Sequence, residues 1–157
     1  MRDDPGTYLR SEVMAATGAT RGQIAGLLDY CISQQGHSPG ALHRWPRDEI
    51  VLASVALELT RLGLSLSTVK AAVDAVRSLH EVGDLGVVRL AFDATGRFMT
   101  ATRLDGVALL PTEPAEGPAG IQLLIDVGAV SSTIDARLRQ HRAEHGVVHR
   151  GPQRKTA

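Results

Sequence analysis

The stretch "MAATGATRGQIAGLLDY" (Met14–Tyr30) decides how the first half of the chain is read. Ser11 stands where a helix N-cap belongs, and Val13, Met14 and Ala16 follow before Gly18 ends the run. Thr20 then caps a second predicted helix, whose Ile24, Leu27 and Leu28 fall at helical spacing. Its leading residues, Arg21, Gly22 and Gln23, are polar or small. Two short helices joined by a glycine turn, with polar residues opening the second, raise the question of whether that second helix reads DNA.

Working outward, "SQQGHSPGALH" is a polar segment with two glycines and a proline, and it reads as a loop or wing. A third helix is predicted from Pro46, with Asp48 and Glu49 near its positive end. Arg47, Ser54, Glu58 and Arg61 are assigned to its polar side, and Ile50, Val51, Leu57 and Leu62 to a broad apolar side. Gly63 stops it, and Ser65 or Ser67 caps a fourth helix with Val69, Val73, Val76 and Leu79 in one stripe. Beyond "HEVGDLG" the period changes: "VVRLAFD" and "RFMTATR" flank "ATG" as a hairpin would. "GVALL" and "IQLLIDV" read as further strands, separated by the proline-rich "PTEPAEGPAG". "SSTIDARLRQHRAEH" reads as a capped, basic final helix ahead of a polar tail.

The expected class is therefore α+β: a four-helix N-terminal domain over residues 7–80, a small strand-rich module with a final helix over 86–146, and a disordered basic tail over 147–157.

The 157 residues, 43% hydrophobic and 22% charged, are those of an ordinary globular protein. No apolar run is long enough to span a membrane. The start "MRDDPGTY" lacks the basic flank and apolar stretch of a signal peptide, so a cytoplasmic protein is expected. The single cysteine, Cys31, has no internal partner and reads as a structural thiol, because thiolate metal sensing needs two or more soft ligands. Formal net charge is zero, and residues 1–80 carry 8 basic against 8 acidic side chains. No domain-wide electrostatic footprint for nucleic acid is present. Locally, six basic residues from Arg137 onward face Glu144 alone, which gives the C-terminus a capacity for phosphate contacts. Arginine outnumbers lysine 15 to 2, a bias that a GC-rich genome produces without any phosphate to recognise.

The order helix, turn, helix, polar wing, then "HRWPRDEIVLASVALELTRLGLSLSTVKAAV" resembles the winged helix-turn-helix domain of MerR-family regulators over residues 7–79. "RLGLSLSTVKAAV" (Arg61–Val73) carries the most specific part: a long helix, a glycine break and a Ser-Leu pair opening the next helix. The resemblance implies a short helix in the major groove, led by Thr20, Arg21 and Gln23, with Ser11 and the wing residues His43, Arg44 and Trp45 as further DNA contacts. Arg21 suits a guanine or a phosphate, and Gln23 suits an adenine. Double-stranded DNA and a twofold homodimer are the partners implied. The family's Arg-Tyr-Tyr-acidic pattern late in the recognition helix is replaced by Ala25, Gly26, Leu27 and Leu28, and its wing arginine by His43. Fewer phosphate contacts follow. The family's long dimerisation helix is also replaced, by the module over 86–146.

"HRAEH" (His141–His145) matches a zinc-protease pattern, but too few residues follow for a downstream ligand, and a solvated helix face is the expected reading. No catalytic residue, cofactor or metal ligand is assigned. A DNA-binding transcriptional regulator or accessory protein is the expectation. The alternative is a protein-interaction adaptor or antitoxin-like module that has lost DNA reading, with residues 86–146 binding a partner protein.

Overall fold

A computed structural model of the chain describes residues 7–27, 44–80, 88–93, 95–103 and 123–146. Within them lie five helices and two small antiparallel sheets, a mixed α+β architecture. The first sheet is a two-residue ribbon, β1 (Thr7–Tyr8) against β2 (Trp45–Pro46), with Tyr8 opposite Trp45. It ties together the two ends of the segment that holds α1 (Arg10–Thr17) and α2 (Arg21–Leu27).

Helix α1 starts two residues earlier than its sequence suggests. Leu9 is the N-cap residue, and Glu12, rather than Ser11, accepts its backbone N–H at 2.7 Å. Ser11 is an exposed first-turn residue, so the cap expected of it is corrected. A hydroxyl already inside the helix is not placed to cap it. The helix ends at Gly18, whose φ of 68° is left-handed and whose N–H returns to the Met14 carbonyl. The chain turns through Ala19 and Thr20 into α2, which buries Ile24 and Leu27.

Helix α3 (Arg47–Arg61) is the centre of the molecule. Every residue from Ile50 to Leu57 is buried, as expected of a helix covered on all sides. That corrects two assignments: Ser54 is buried at 7% exposure, and Leu62, given to the apolar side, is 53% exposed. The helix closes on Gly63 with a paired motif, the Leu64 N–H reaching the Leu59 carbonyl and the Gly63 N–H the Thr60 carbonyl. Ser65, not Ser67, then caps α4 (Leu66–His80), accepting the Thr68 N–H at 3.2 Å. Val69, Val73 and Val76 are fully buried, as their spacing predicts.

The second sheet has the order β4-β3-β5, built from β3 (Val88–Phe92), β4 (Phe98–Arg103) and β5 (Leu123–Asp126). The hairpin read at "ATG" joins β3 to β4, with one register shift at Ala91/Phe92. Strand β5 lies on the other side of β3, Leu90 opposite Ile125. "GVALL" falls outside the described residues. Asp126 ends β5 and caps the final helix, α5 (Val127–His145), accepting the Ala129 N–H. The helix thus begins four residues before "SSTIDARL", because Asp126 already caps it ahead of the serines.

Buried side chains of residues 7–80 and of 88–146 belong to one hydrophobic core. Helix α5 packs across α1 and α3, while α4 faces β4. No helix among the described residues is long and apolar enough to cross a membrane.

Candidate nucleic-acid interface

The outward side of α2 is built from Arg21, Gly22, Gln23, Ala25 and Gly26, all exposed. Its inward side is Ile24 and Leu27, one helical turn apart in the core. Thr20 and Gln23 lock the start of the helix reciprocally. The Gln23 N–H donates to Thr20 Oγ1 at 3.2 Å, and the Thr20 N–H donates to Gln23 Oε1 at 2.9 Å. This is a capping box, and the Thr-x-x-Gln spacing announces it. The amide orientation follows from chemistry, since only the side-chain oxygen accepts from an N–H. Gln23 therefore offers its Nε2 donor outward while Oε1 serves the helix. A bidentate adenine contact, the role expected of it, asks Oε1 to accept a second hydrogen bond beside the one that caps the helix.

A Cβ placed on Gly22 or Gly26 meets nothing within 4 Å. The two glycines are not demanded by packing, and the face they leave is low in relief. Arg21 is then the one cation on the described part of α2.

The other expected contacts are distributed unevenly. Arg44 is exposed at the foot of β2. Trp45 is fully buried opposite Tyr8, so it holds the ribbon in the core and is withdrawn from the contact set. His43 and Cys31 lie outside the described residues, as do Leu28 and the basic tail. Arg61, read from the sequence only as part of the polar side of α3, stands beside the α1–α2 turn. Its guanidinium is 3.9 Å from where a Gly18 Cβ would lie, and it pairs with Glu58 at 2.7 Å. No spacing rule reveals that proximity.

Two of the arginines of the basic helix α5 are tied to α1. Arg137 donates to the Ala16 carbonyl at 3.0 Å, near the end of α1. Arg142 donates from Nε to Glu12 Oε1 at 2.8 Å and stacks over the Tyr8 ring at 4.3 Å. Glu12 thus joins α5 to the N-terminus of α1 through its two oxygens. In the first half of α5, Asp135 receives the fork of Arg47, Nε and Nη2 each at 2.7 Å, and Ser131 receives Nη2 at 2.6 Å. The Asp135 hydrogen bonds raise the Arg47 pKa above its already high value, so the guanidinium stays charged throughout. Ser131, Asp135, Leu138 and Arg142 recur at four, three and four residues, one stripe of α5 aimed at α1 and α3.

Between α3, β5 and the first half of α5 lies an open cleft of about 360 Å³, walled by Ser54, Glu58, Leu124, Asp126, Val130 and Arg137. Leu124 is 54% exposed at its edge. Among the described residues, no three His, Cys, Asp or Glu side chains are gathered as a closed metal site would need. Compared with known families and with curated proteins, the chain matches no family model and no curated protein.

Proposed function

We propose that the chain is a non-catalytic DNA-binding protein with a winged helix-turn-helix of MerR-like type, working as a homodimer in transcriptional regulation or as an accessory DNA-binding factor. The observation that carries this reading is α2 itself. Its inner face is anchored by Ile24 and Leu27, its start is locked by Thr20 and Gln23, and its outer face presents Arg21 and Gln23 uncovered. A short helix of this kind fits a major groove, where Arg21 reaches a guanine edge or a phosphate and Gln23 donates to an acceptor. Arg44 and Arg61 add phosphate contacts from the ribbon and from the turn. The test is a salt titration of binding to the DNA upstream of its own gene. Affinity should fall steeply with salt, and Arg21→Ala should reduce the logarithmic salt slope by about 1 if Arg21 meets a phosphate. A wild-type chain that binds at low salt no better than non-specifically sinks the proposal.

A second reading rests on Ala25 and Gly26, which expose no hydrogen-bonding side chain on α2, and on the cleft beside Leu124. On that reading the fold is an adaptor, and a partner protein occupies the cleft formed with residues of 86–146. Recovery of a stable protein partner, with no shift of DNA, would select it.

A further inference from the structure

We propose that His141 and His145 form a two-histidine site for a divalent transition-metal ion at the end of α5. The two rings stack on successive turns, centroids 4.4 Å apart and 26° from parallel. His145 Nδ1 lies 3.1 Å from the His141 carbonyl oxygen, an acceptor only, so Nδ1 carries the proton and donates. In the neutral imidazole this leaves Nε2 unprotonated, the donor a metal takes. A ring N–H given to a backbone carbonyl is the arrangement that commonly orients a ligating imidazole. Two imidazoles on one metal, each at about 2.0–2.1 Å, stand roughly 3 Å apart at their nitrogens with in-plane lone pairs converging, so binding turns the two rings out of their stack until their nitrogen edges meet. His141 is half-buried and His145 exposed, which leaves water to complete the coordination. Glu144 is held by Gln140 at 2.8 Å and is not counted as a ligand.

The position gives the site a consequence. Arg142 lies between the two histidines and reaches the other way, to Glu12 and Tyr8. Gly146 closes this last turn with an N–H to the Arg142 carbonyl. An ion bridging the rings staples the turn that presses Arg142 onto α1. The inference does not depend on DNA binding.

The experiment uses the untagged full chain, metal-free, titrated calorimetrically with Cu²⁺, Ni²⁺, Zn²⁺ and, as a control, Mg²⁺. One ion per chain is expected, Cu²⁺ tightest and Mg²⁺ not bound, as imidazole ligation ranks them. His141→Ala and His145→Ala should each weaken Cu²⁺ at least tenfold and abolish the metal-induced rise in Tm, with far-UV circular dichroism unchanged. Electron paramagnetic resonance of the Cu²⁺ form should count two imidazole nitrogens. A wild-type chain that takes up no ion, variants that bind as tightly as the parent, or a single coordinated nitrogen would each overturn the proposal.

Discussion

Glu12 carries more of the architecture than its place in a short polar helix suggests. One carboxylate oxygen holds the Leu9 N–H and the other holds Arg142, with both side chains less than a fifth exposed. Replacing Glu12 with Ala removes a helix cap and leaves a partly buried guanidinium without its carboxylate. We expect a loss of about 2–3 kcal/mol in urea denaturation, with Glu12→Gln, which keeps one acceptor oxygen and replaces the other with an NH2 group, falling between. Asp93 makes a different kind of prediction. Its Oδ1 accepts from the Thr95 hydroxyl and from the Thr95 and Arg97 N–H groups, and these bonds hold its pKa below the usual carboxylate range, the hydroxyl foremost. A carboxylate lowered on folding adds stability above its unfolded pKa and loses that contribution as pH falls through the folded one. Asp93→Asn should therefore lower Tm at neutral pH, and the gap from the parent should close as the solution is taken below pH 4. A gap that stays constant across that range would show the turn to be indifferent to charge.

At the scale of elements, the glycines divide into those a turn requires and those a helix tolerates. Gly96 has φ 77°, and a Cβ there would meet Leu64 Cδ2 at 2.6 Å. Gly96→Ala should cost about 1–2 kcal/mol from backbone strain alone, with Leu64 adding to it. Gly26 sits in helical backbone with open space around it, so Gly26→Ala should stabilise by roughly 0.5–1 kcal/mol in the same assay. A loss at Gly26 would mean that its outward face serves a contact within the molecule. These boundaries were legible in the residues. Gly18, Gly63 and Thr20 punctuate the first half where the spacing places them, and the Val69–Val73–Val76 stripe is buried as its period predicts. The start of α5 was not, because the apolar run "IQLLIDV" masks the change of period at Asp126, which both ends a strand and caps a helix. Nor was the burial of Ser54, whose position looks polar until α5 is laid over it. Of the candidate interface, Arg21 and Arg44 stand exposed as read, while Trp45 followed the hydrophobic preference of its own side chain into the core.

For the whole molecule, the least legible feature is how the two halves meet. Arg47 to Asp135 spans 88 positions and Glu12 to Arg142 spans 130, separations at which no periodicity survives. Because the halves share one core, a chain ending at Asp126 exposes the faces of α1 and α3 that α5 covers. Such a truncation should lose its cooperative thermal transition, and a transition kept within a few degrees of the parent would falsify that expectation. The same docking sets the order of events during synthesis. The first helices leave the ribosome long before their covering helix exists, and at roughly 5–20 residues per second they wait several seconds for it. During that interval Val13, Ala16 and much of α3 have only partial cover. Native packing at the N-terminus is therefore completed by the C-terminus, a high-contact-order closure that folds slowly. A nascent chain of this design has a window of aggregation risk, and translation arrested before α5 emerges should yield a protease-sensitive N-terminal half rather than a finished one.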